Sequence, residues 1–251
     1  MMAAPLDSGL SPATAWALFM AAGGAMLATW GLRDAPRHGV SREHVLALFL
    51  LSWLAGWAGA RVWFVIEHRE LLREPLWRWI LHPSLGGFSS YGGLLSGLAA
   101  AGVYARSAKL PLRKLADTAA RGLCFFGVAA RLGCFFAGCC YGRPTALPWA
   151  VSAAPGTLAA RRFGDFAALH PVQLYEAAAV VLIGWLAAAR PASFAGATFL
   201  RVAASYSAVR LFVDALRGDA HLIAGGLPSN QWISLMILAL SAGLLWAARR
   251  D

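Results

Sequence analysis

The sequence predicts an all-α polytopic membrane protein, with about seven transmembrane helices around a polar, arginine-lined cavity. Three observations carry that prediction. The 251 residues are 59% hydrophobic and only 14% charged, with a mean hydropathy of +0.58, a balance foreign to a soluble domain of this length. Apolar residues are collected into runs of about 20, long enough to cross roughly 30 Å of hydrocarbon. Several runs enclose arginines, which a bilayer tolerates only where they face protein or a wet interior. Intrinsic disorder, collagen-like repeats and disulfide-dense scaffolds are excluded, because apolar surface is abundant and only four cysteines are present. The net charge of +10 does not indicate nucleic acid, since the basic residues are scattered and form no single stripe. Anionic lipid is the counter-ion that fits.

The first span is expected over residues 12–32. No basic residue precedes it in MMAAPLDSGLSPATAW, whereas Arg33, Arg37 and Arg42 follow, the reverse of a secretory signal. An uncleaved helix with its N-terminus outside is the expectation. The second span covers 43–66 and encloses Arg61. Beyond it, WRWILHP from Trp77 mixes aromatic residues with an arginine and suits the headgroup region. The third span, 87–105, begins in the glycine-rich GGFSSYGGLLSG from Gly86, and the fourth, 115–137, encloses Arg121 and Arg131. A long outside loop, 138–168, leads to the fifth span, 169–189. The sixth, 193–216, encloses Arg201 and Arg210, and the seventh, 229–248, leaves the C-terminus cytoplasmic. The cytoplasmic segments then hold Arg33, Arg37, Arg42, Arg106, Lys109, Arg113, Lys114, Arg190, Arg249 and Arg250, and the outside segments Arg69, Arg73, Arg78, Arg143, Arg161, Arg162 and Arg217, a ten-to-seven balance in the sense of the positive-inside rule. Residues 1–251 read as one integral-membrane domain, with no fixed-period repeat.

An arginine at the bilayer centre costs at least about 2.5 kcal/mol on insertion scales. Arg121 and Arg201 can snorkel from near helix ends, but Arg131 and Arg210 sit among polar groups at helical spacing. Tyr206, Arg210, Asp214 and Arg217 fall at i, i+4, i+8 and i+11 and so share one face. Two arginines against one aspartate leave an uncompensated positive charge, and the planar guanidinium fork suits phosphate oxygens. Arg131, Cys134 and Gly138 share a face of the fourth span, which runs into CCYGRPT. There Gly138 and Gly142 permit close backbone approach or positive φ, and Pro144 stops any continuing helix. The glycines of the third span suit a cavity lining or tight helix packing. LHPVQLYEA, from Leu169, sets His170, Gln173, Tyr175 and Glu176 at the head of the fifth span, with Pro171 suited to the first helical turn. Glu176 in an apolar run needs a partner, and an arginine from another helix is the natural one.

Cys124 and Cys134 fall within a span, where a thiol behaves as a small hydrophobe. Cys139 and Cys140 are adjacent and near the outer mouth, where they can form only a strained, labile ring disulfide. The spacing of Cys134, Cys139, Cys140 and His170 is not that of a structural zinc site, so no metal is expected. Without a phosphate-binding glycine loop, dinucleotide fingerprint or haem attachment site, no cofactor is expected either.

Taken in order, GGFSSYGG, RLGCFFAGCCYGRPT, HPVQLYEA and the helix carrying Tyr206, Arg210, Asp214 and Arg217 resemble the bacterial prolipoprotein diacylglyceryl transferase family. The likeness runs from about Leu54, through Ala58 to Arg61, to NQWISL at Asn230. It implies a seven-span bacterial inner-membrane enzyme that moves the diacylglyceryl group of phosphatidylglycerol onto a prolipoprotein lipobox cysteine. The product is a thioether, and glycerol phosphate leaves. The resemblance assigns phospholipid binding and catalysis to Arg131 and Arg210 and places Gly142 and Arg143 in the family signature. The chain departs from the pattern at Tyr91, where the family has histidine, at Cys134 and Ala137, where it has asparagine, and at Cys139 and Asp214, where it has glutamate.

The expected catalytic residues are therefore Arg131, Arg210, Cys139 and Tyr91. Substrate contacts are expected from Arg61, Cys134, Gly138, Cys140, Gly142, Arg143, His170, Gln173, Glu176, Tyr206, Asp214 and Arg217. The expected partners are an anionic phospholipid, phosphatidylglycerol by resemblance, and a thiol acceptor such as a prolipoprotein, with no nucleic acid. Two alternatives stand beside this reading: thiol or redox chemistry at Cys139 and Cys140, and a non-catalytic phospholipid-binding homologue.

Overall fold

Each long apolar run is helical in the computed structural model, which describes residues 11–67, 88–190, 192–219 and 228–248. The helices are α1 (Pro12–Asp34), α2 (Arg42–Glu67), α3 (Ser90–Ser107), α4 (Leu112–Phe136), α5 (Leu158–Phe163), α6 (Val172–Ala189), α7 (Ala197–Ala215) and α8 (Ser229–Ala247). Helix satisfies backbone hydrogen bonds internally, which hydrocarbon demands. By length and hydropathy α1, α2, α4, α6 and α8 can cross a membrane. α3 and α7 have 18 and 19 residues, but small, hydroxyl and charged side chains dilute their apolar character. Large apolar side chains point outward, among them Leu54, Val103, Trp185 and Phe212, the last 69% exposed. Such outward apolar surface is suited to lipid and not to water. The chain is a polytopic helical membrane protein.

Two compact units are present. Residues 31–115 form one, and residues 1–30 with 116–251 form the other, so α1 and α4 each contribute to both. In the smaller unit α2 and α3 pack backbone to backbone. A Cβ on Gly56 or Gly93 would press on the carbonyl of the other, and one on Gly92 would collide with Trp63 and the Gly59 carbonyl. Gly92, Gly93 and Gly97 thus serve close helix packing, while Gly86, Gly87 and the WRWILHP segment lie outside the described residues.

In the larger unit Gly23 and Gly122 admit α4 against α1, and Gly127 and Gly184 admit α6 against α4. Cys124, Val180 and Ile183 form the core where α4 and α6 meet, with Val202, Tyr206 and Val209 of α7 packed on it. Asp117 of α4 accepts hydrogen bonds from the backbone N–H groups of Gly196 at 2.8 Å and Phe199 at 2.9 Å. It caps the start of α7 from another helix.

The segment between α4 and α6, expected as one long loop, is ordered structure. Strands β1 (Val151–Ser152) and β2 (Ala168–Leu169) pair antiparallel, Val151 opposite Leu169. Thr157 N-caps α5 through its hydroxyl, 3.3 Å from the Ala160 N–H. Tyr141, Ala153, Ala159, Ala160 and Leu169 make a small core of their own. Leu169 and His170 accordingly precede the fifth span, and Pro171 stands at the N-cap of α6 and not inside its first turn.

Candidate active site

Glu176 fixes the centre of the site. It lies in the second turn of α6 with only 2% of its side chain exposed, and an isolated buried carboxylate is strongly unfavourable. Arginines from two other helices compensate it. Arg131 Nε of α4 lies 2.9 Å from Glu176 Oε1, and Arg210 Nη1 of α7 lies 3.0 Å from Oε2. The Tyr206 hydroxyl, one turn before Arg210, donates to Oε1 at 2.6 Å and accepts from Arg131 Nη2 at 3.4 Å. The sequence expectation of an arginine partner from another helix is met twice over.

Arg210 also reaches along its own helix, where its Nη2 is 2.6 Å from Asp214 Oδ1. Both Asp214 carboxylate oxygens are buried without an aligned hydrogen bond, so that contact is charge against charge. Arg217 lies 3.9 Å from Asp214 Oδ1, but its fork is bidentate on Asp219, with Nε to Oδ1 and Nη2 to Oδ2 both 2.9 Å. The uncompensated charge expected on this helix is therefore corrected. Arg131, Arg210 and Arg217 face Glu176, Asp214 and Asp219, a balance that a reading of one helix face could not include.

The excess positive charge sits instead on Arg143. This side chain is exposed, makes no ion pair among the described residues, and donates from Nε to the Arg217 carbonyl at 3.1 Å. Its backbone is woven into the site. Arg143 N–H donates to the Leu216 carbonyl at 2.9 Å, and its carbonyl accepts from His170 N–H at 3.0 Å. Gly142 bridges Arg217 in antiparallel fashion, and a Cβ on Gly142 would collide with the His170 carbonyl. Close approach, with φ unexceptional, is what requires glycine there. The His170 ring nitrogen Nδ1 lies 3.4 Å from the Tyr175 hydroxyl, which accepts from Trp149 Nε1 at 2.7 Å.

Gly138 has a role the sequence reading did not assign. At φ +68 it ends α4, with Gly138 N–H bonded to the Phe135 carbonyl and Cys139 N–H to the Cys134 carbonyl, each at 3.2 Å. That pair of bonds is a Schellman stop, and helix termination is what the positive φ of this glycine provides. The turn brings Cys139 back over Cys134, and Cys140 at φ +57 folds back as well, at a cost of about 1–3 kcal/mol for a residue with a Cβ. The Sγ atoms of Cys134, Cys139 and Cys140 lie within 4.8 Å of one another. All four cysteines are free thiols. Gln173 Nε2 donates to the Cys139 carbonyl at 2.7 Å, tying the turn to α6. Hydrogen bonds with the Cys134 and Cys139 thiols, then the Arg217 and Arg131 charges, hold the Cys140 thiol well below the ordinary thiol range against the effect of burial.

Tyr91 and Arg61 belong to the smaller unit. Tyr91 is buried in the first turn of α3. Arg61 is buried in α2 with its guanidinium 5.0 Å from the Phe88 ring centroid. The sequence reading missed Asp219 and Asp117, both of which act across chain distance or beyond a helix end. A carboxylate directly after RG in LRGD was the available signal for the first.

With this geometry in view, the comparisons with known proteins are direct. A family model described as Prolipoprotein diacylglyceryl transferase matches residues 9–247. A protein of Clostridium tetani named phosphatidylglycerol--prolipoprotein diacylglyceryl transferase is 27% identical, covering 83% of this chain and 82% of its own length. One of the same name from Gloeobacter violaceus is 32% identical, covering 86% of this chain and 82% of its own. One from Geobacillus kaustophilus is 28% identical over 90% of this chain and 85% of its own. The match spans the arginine and carboxylate network, the Gly138 turn and the Gly142 bridge alike, and the chain belongs to the prolipoprotein diacylglyceryl transferase family.

Proposed function

We propose that this protein is a phosphatidylglycerol-dependent diacylglyceryl transferase whose acceptor is the thiol of a prolipoprotein lipobox cysteine. The observation that carries the proposal is the convergence of Arg131 and Arg210, from separate helices, on a buried carboxylate in a family member. Each guanidinium has five N–H donors in a rigid fork. Arg131 spends two on Glu176 and Tyr206, so donors remain for phosphate oxygens.

In the proposed mechanism Arg143, exposed and without a carboxylate partner among the described residues, meets the phosphodiester first. Arg131 and Arg210 then hold the phosphate and stabilise the charge that grows on the departing glycerol phosphate oxygen. The acceptor sulfur forms a bond to the glyceryl carbon as the carbon–oxygen bond to phosphate breaks. Glu176 and Asp214 orient the arginines, while Tyr206 and Gln173 fix the helices that carry them. By the positions they hold in the family pattern, Cys139 and Tyr91 are the candidates for handling the proton. α3 and α7 complete seven spans, residues 1–251 act as one domain, and the chain lies in the bacterial inner membrane with its N-terminus outside and C-terminus cytoplasmic.

The test is mass spectrometry of a lipobox peptide incubated with purified protein and phosphatidylglycerol. A diacylglyceryl mass addition that fails with Arg131→Ala and Arg210→Ala is expected. No addition by the wild-type protein, with phospholipid still bound, refutes the transferase.

A further inference from the structure

We propose that Cys134, Cys139 and Cys140 form a binding site for a thiophilic divalent cation of the zinc type, with a fourth coordination position that no described residue fills. The site lies outside the arginine network and rests on geometry that no single stretch of sequence contains. Cys134 is in the last turn of α4, and the Schellman stop at Gly138 returns the chain over it. Left-handed backbone at Cys140 then turns a third sulfur toward the other two. The three Sγ atoms, mutually within 4.8 Å, need only side-chain rotation to reach the roughly 3.8 Å sulfur separation of a tetrahedral site with zinc–sulfur bonds of about 2.3 Å.

Thiolate donors select soft or borderline ions over magnesium and calcium. Three negative ligands around a divalent ion leave a net negative charge, and the Arg131 and Arg217 charges act on this cluster. Three protein ligands with one position open is the pattern of a reactive metal site, whereas structural zinc sites are closed by a fourth ligand.

The open position suits the acceptor thiol of the transfer reaction; this part of the inference rests on the proposed function, with Cys139 acting as a metal ligand in place of a proton acceptor. Thiol attack needs thiolate, and a thiol coordinated to zinc is deprotonated outright. The nearby carboxylates of Glu176 and Asp214 are buried against arginines and are poor bases. Acceptor R–SH would bind the ion and release its proton to solvent. The bound sulfur's electron pair forms the bond to the glyceryl carbon as the carbon–oxygen bond breaks. That bond's electrons leave on glycerol phosphate, and the neutral thioether is a weak ligand that dissociates.

The experiment is a Co²⁺ titration of the chelator-stripped, phosphine-reduced full-length protein in detergent. One equivalent is expected to give thiolate charge-transfer absorption and the visible bands of tetrahedral cobalt, displaced by Zn²⁺. Cys134→Ser and Cys139→Ser are expected to weaken binding by more than about 100-fold, beyond the loss of an outer contact, and Cys124→Ser to leave it intact. A lipobox peptide is expected to shift the visible bands, and its Cys-to-Ser counterpart to leave them unchanged. Absent bands, or bands that survive both serine substitutions, overturn the site; bands indifferent to the peptide thiol overturn the open position. Because the spectrum needs no turnover, transfer by metal-stripped protein that binds no cobalt sinks this inference alone, and cobalt binding without transfer sinks the proposed function alone.

Discussion

Glu176→Gln removes one charge from the centre of the network and almost no volume. In the native protein the carboxylate is 2% exposed and meets Arg131 at 2.9 Å and Arg210 at 3.0 Å. Removing one partner of a buried pair costs about 3–5 kcal/mol, because the other charge stays buried. Here two guanidiniums lose their shared counter-ion, and glutamine turns an amide N–H toward one of them. At about 2–4 °C per kcal/mol for a chain of this size, the apparent Tm is expected to fall by roughly 6–20 °C, read by tryptophan fluorescence in detergent at one scan rate. Arg210→Gln alone is expected to cost a similar amount. The double variant is expected to cost less than the sum, by about 0.5–3 kcal/mol for residues in direct contact. Phosphatidylglycerol added to the micelles is expected to recover part of the Glu176→Gln loss, and phosphatidylcholine none, since only the former brings an anion. Additive single losses, or a Tm within about 1 °C of the native value, would refute the shared counter-ion role.

Arg131→Lys keeps the charge but loses the fork, and transfer to a lipobox peptide is expected to fall about 10²–10³-fold, the scale for losing a transition-state hydrogen-bond donor. Gly142→Ala is expected to cost about 1–3 kcal/mol of overpacking against His170, lowering the apparent Tm by roughly 2–12 °C and phospholipid binding with it. Asp117→Ala leaves the Gly196 and Phe199 N–H groups uncapped, at about 0.5–2 kcal/mol, with transfer unchanged at a temperature where the variant stays folded. Arg143→Ala is expected to weaken phosphatidylglycerol binding in a salt-dependent way while leaving Tm near the native value, because its side chain is exposed and holds no carboxylate.

The helices were legible because hydrocarbon imposes a long, coarse pattern: among the described residues each of the seven apolar runs contains a helix of 18 or more residues, with ends shifted by a few positions. Glu176 was legible for the same reason, since a carboxylate in such a run has to find a cation. Which cations it would find was not, because Arg131 and Arg210 meet only once α4, α6 and α7 are packed. The β1–β2 pair and α5 escaped because two-residue strands and a six-residue helix carry no periodicity to read. Asp219 escaped because it lies beyond the helix whose face was being followed. Gly138 was flagged for positive φ, and that φ serves to end a helix. The glycines of α3 were open to two readings, and packing against Gly56 and Gly59 decides for one of them where the chain is described.

The charge balance bears on how an anionic substrate is admitted. A neutral network of three arginines and three carboxylates has little reason to draw a phosphodiester inward by long-range attraction. It offers instead local exchange: phosphate oxygens can take up N–H donors that Glu176 leaves unused, while Glu176 keeps both guanidiniums at the right separation. A site with bare arginines would attract lipid more strongly but would meet greater charge repulsion when empty, whereas a carboxylate placeholder lowers that cost and lets the product dianion leave. In the proposed mechanism the shared carboxylate and the exposed Arg143 would divide the work, one keeping the empty site folded and the other supplying the net attraction. Reversing the division, with Arg143→Glu to repel lipid at the rim, should therefore raise KM for phosphatidylglycerol much more than it lowers kcat. The opposite split would place Arg143 among the groups that stabilise the transition state.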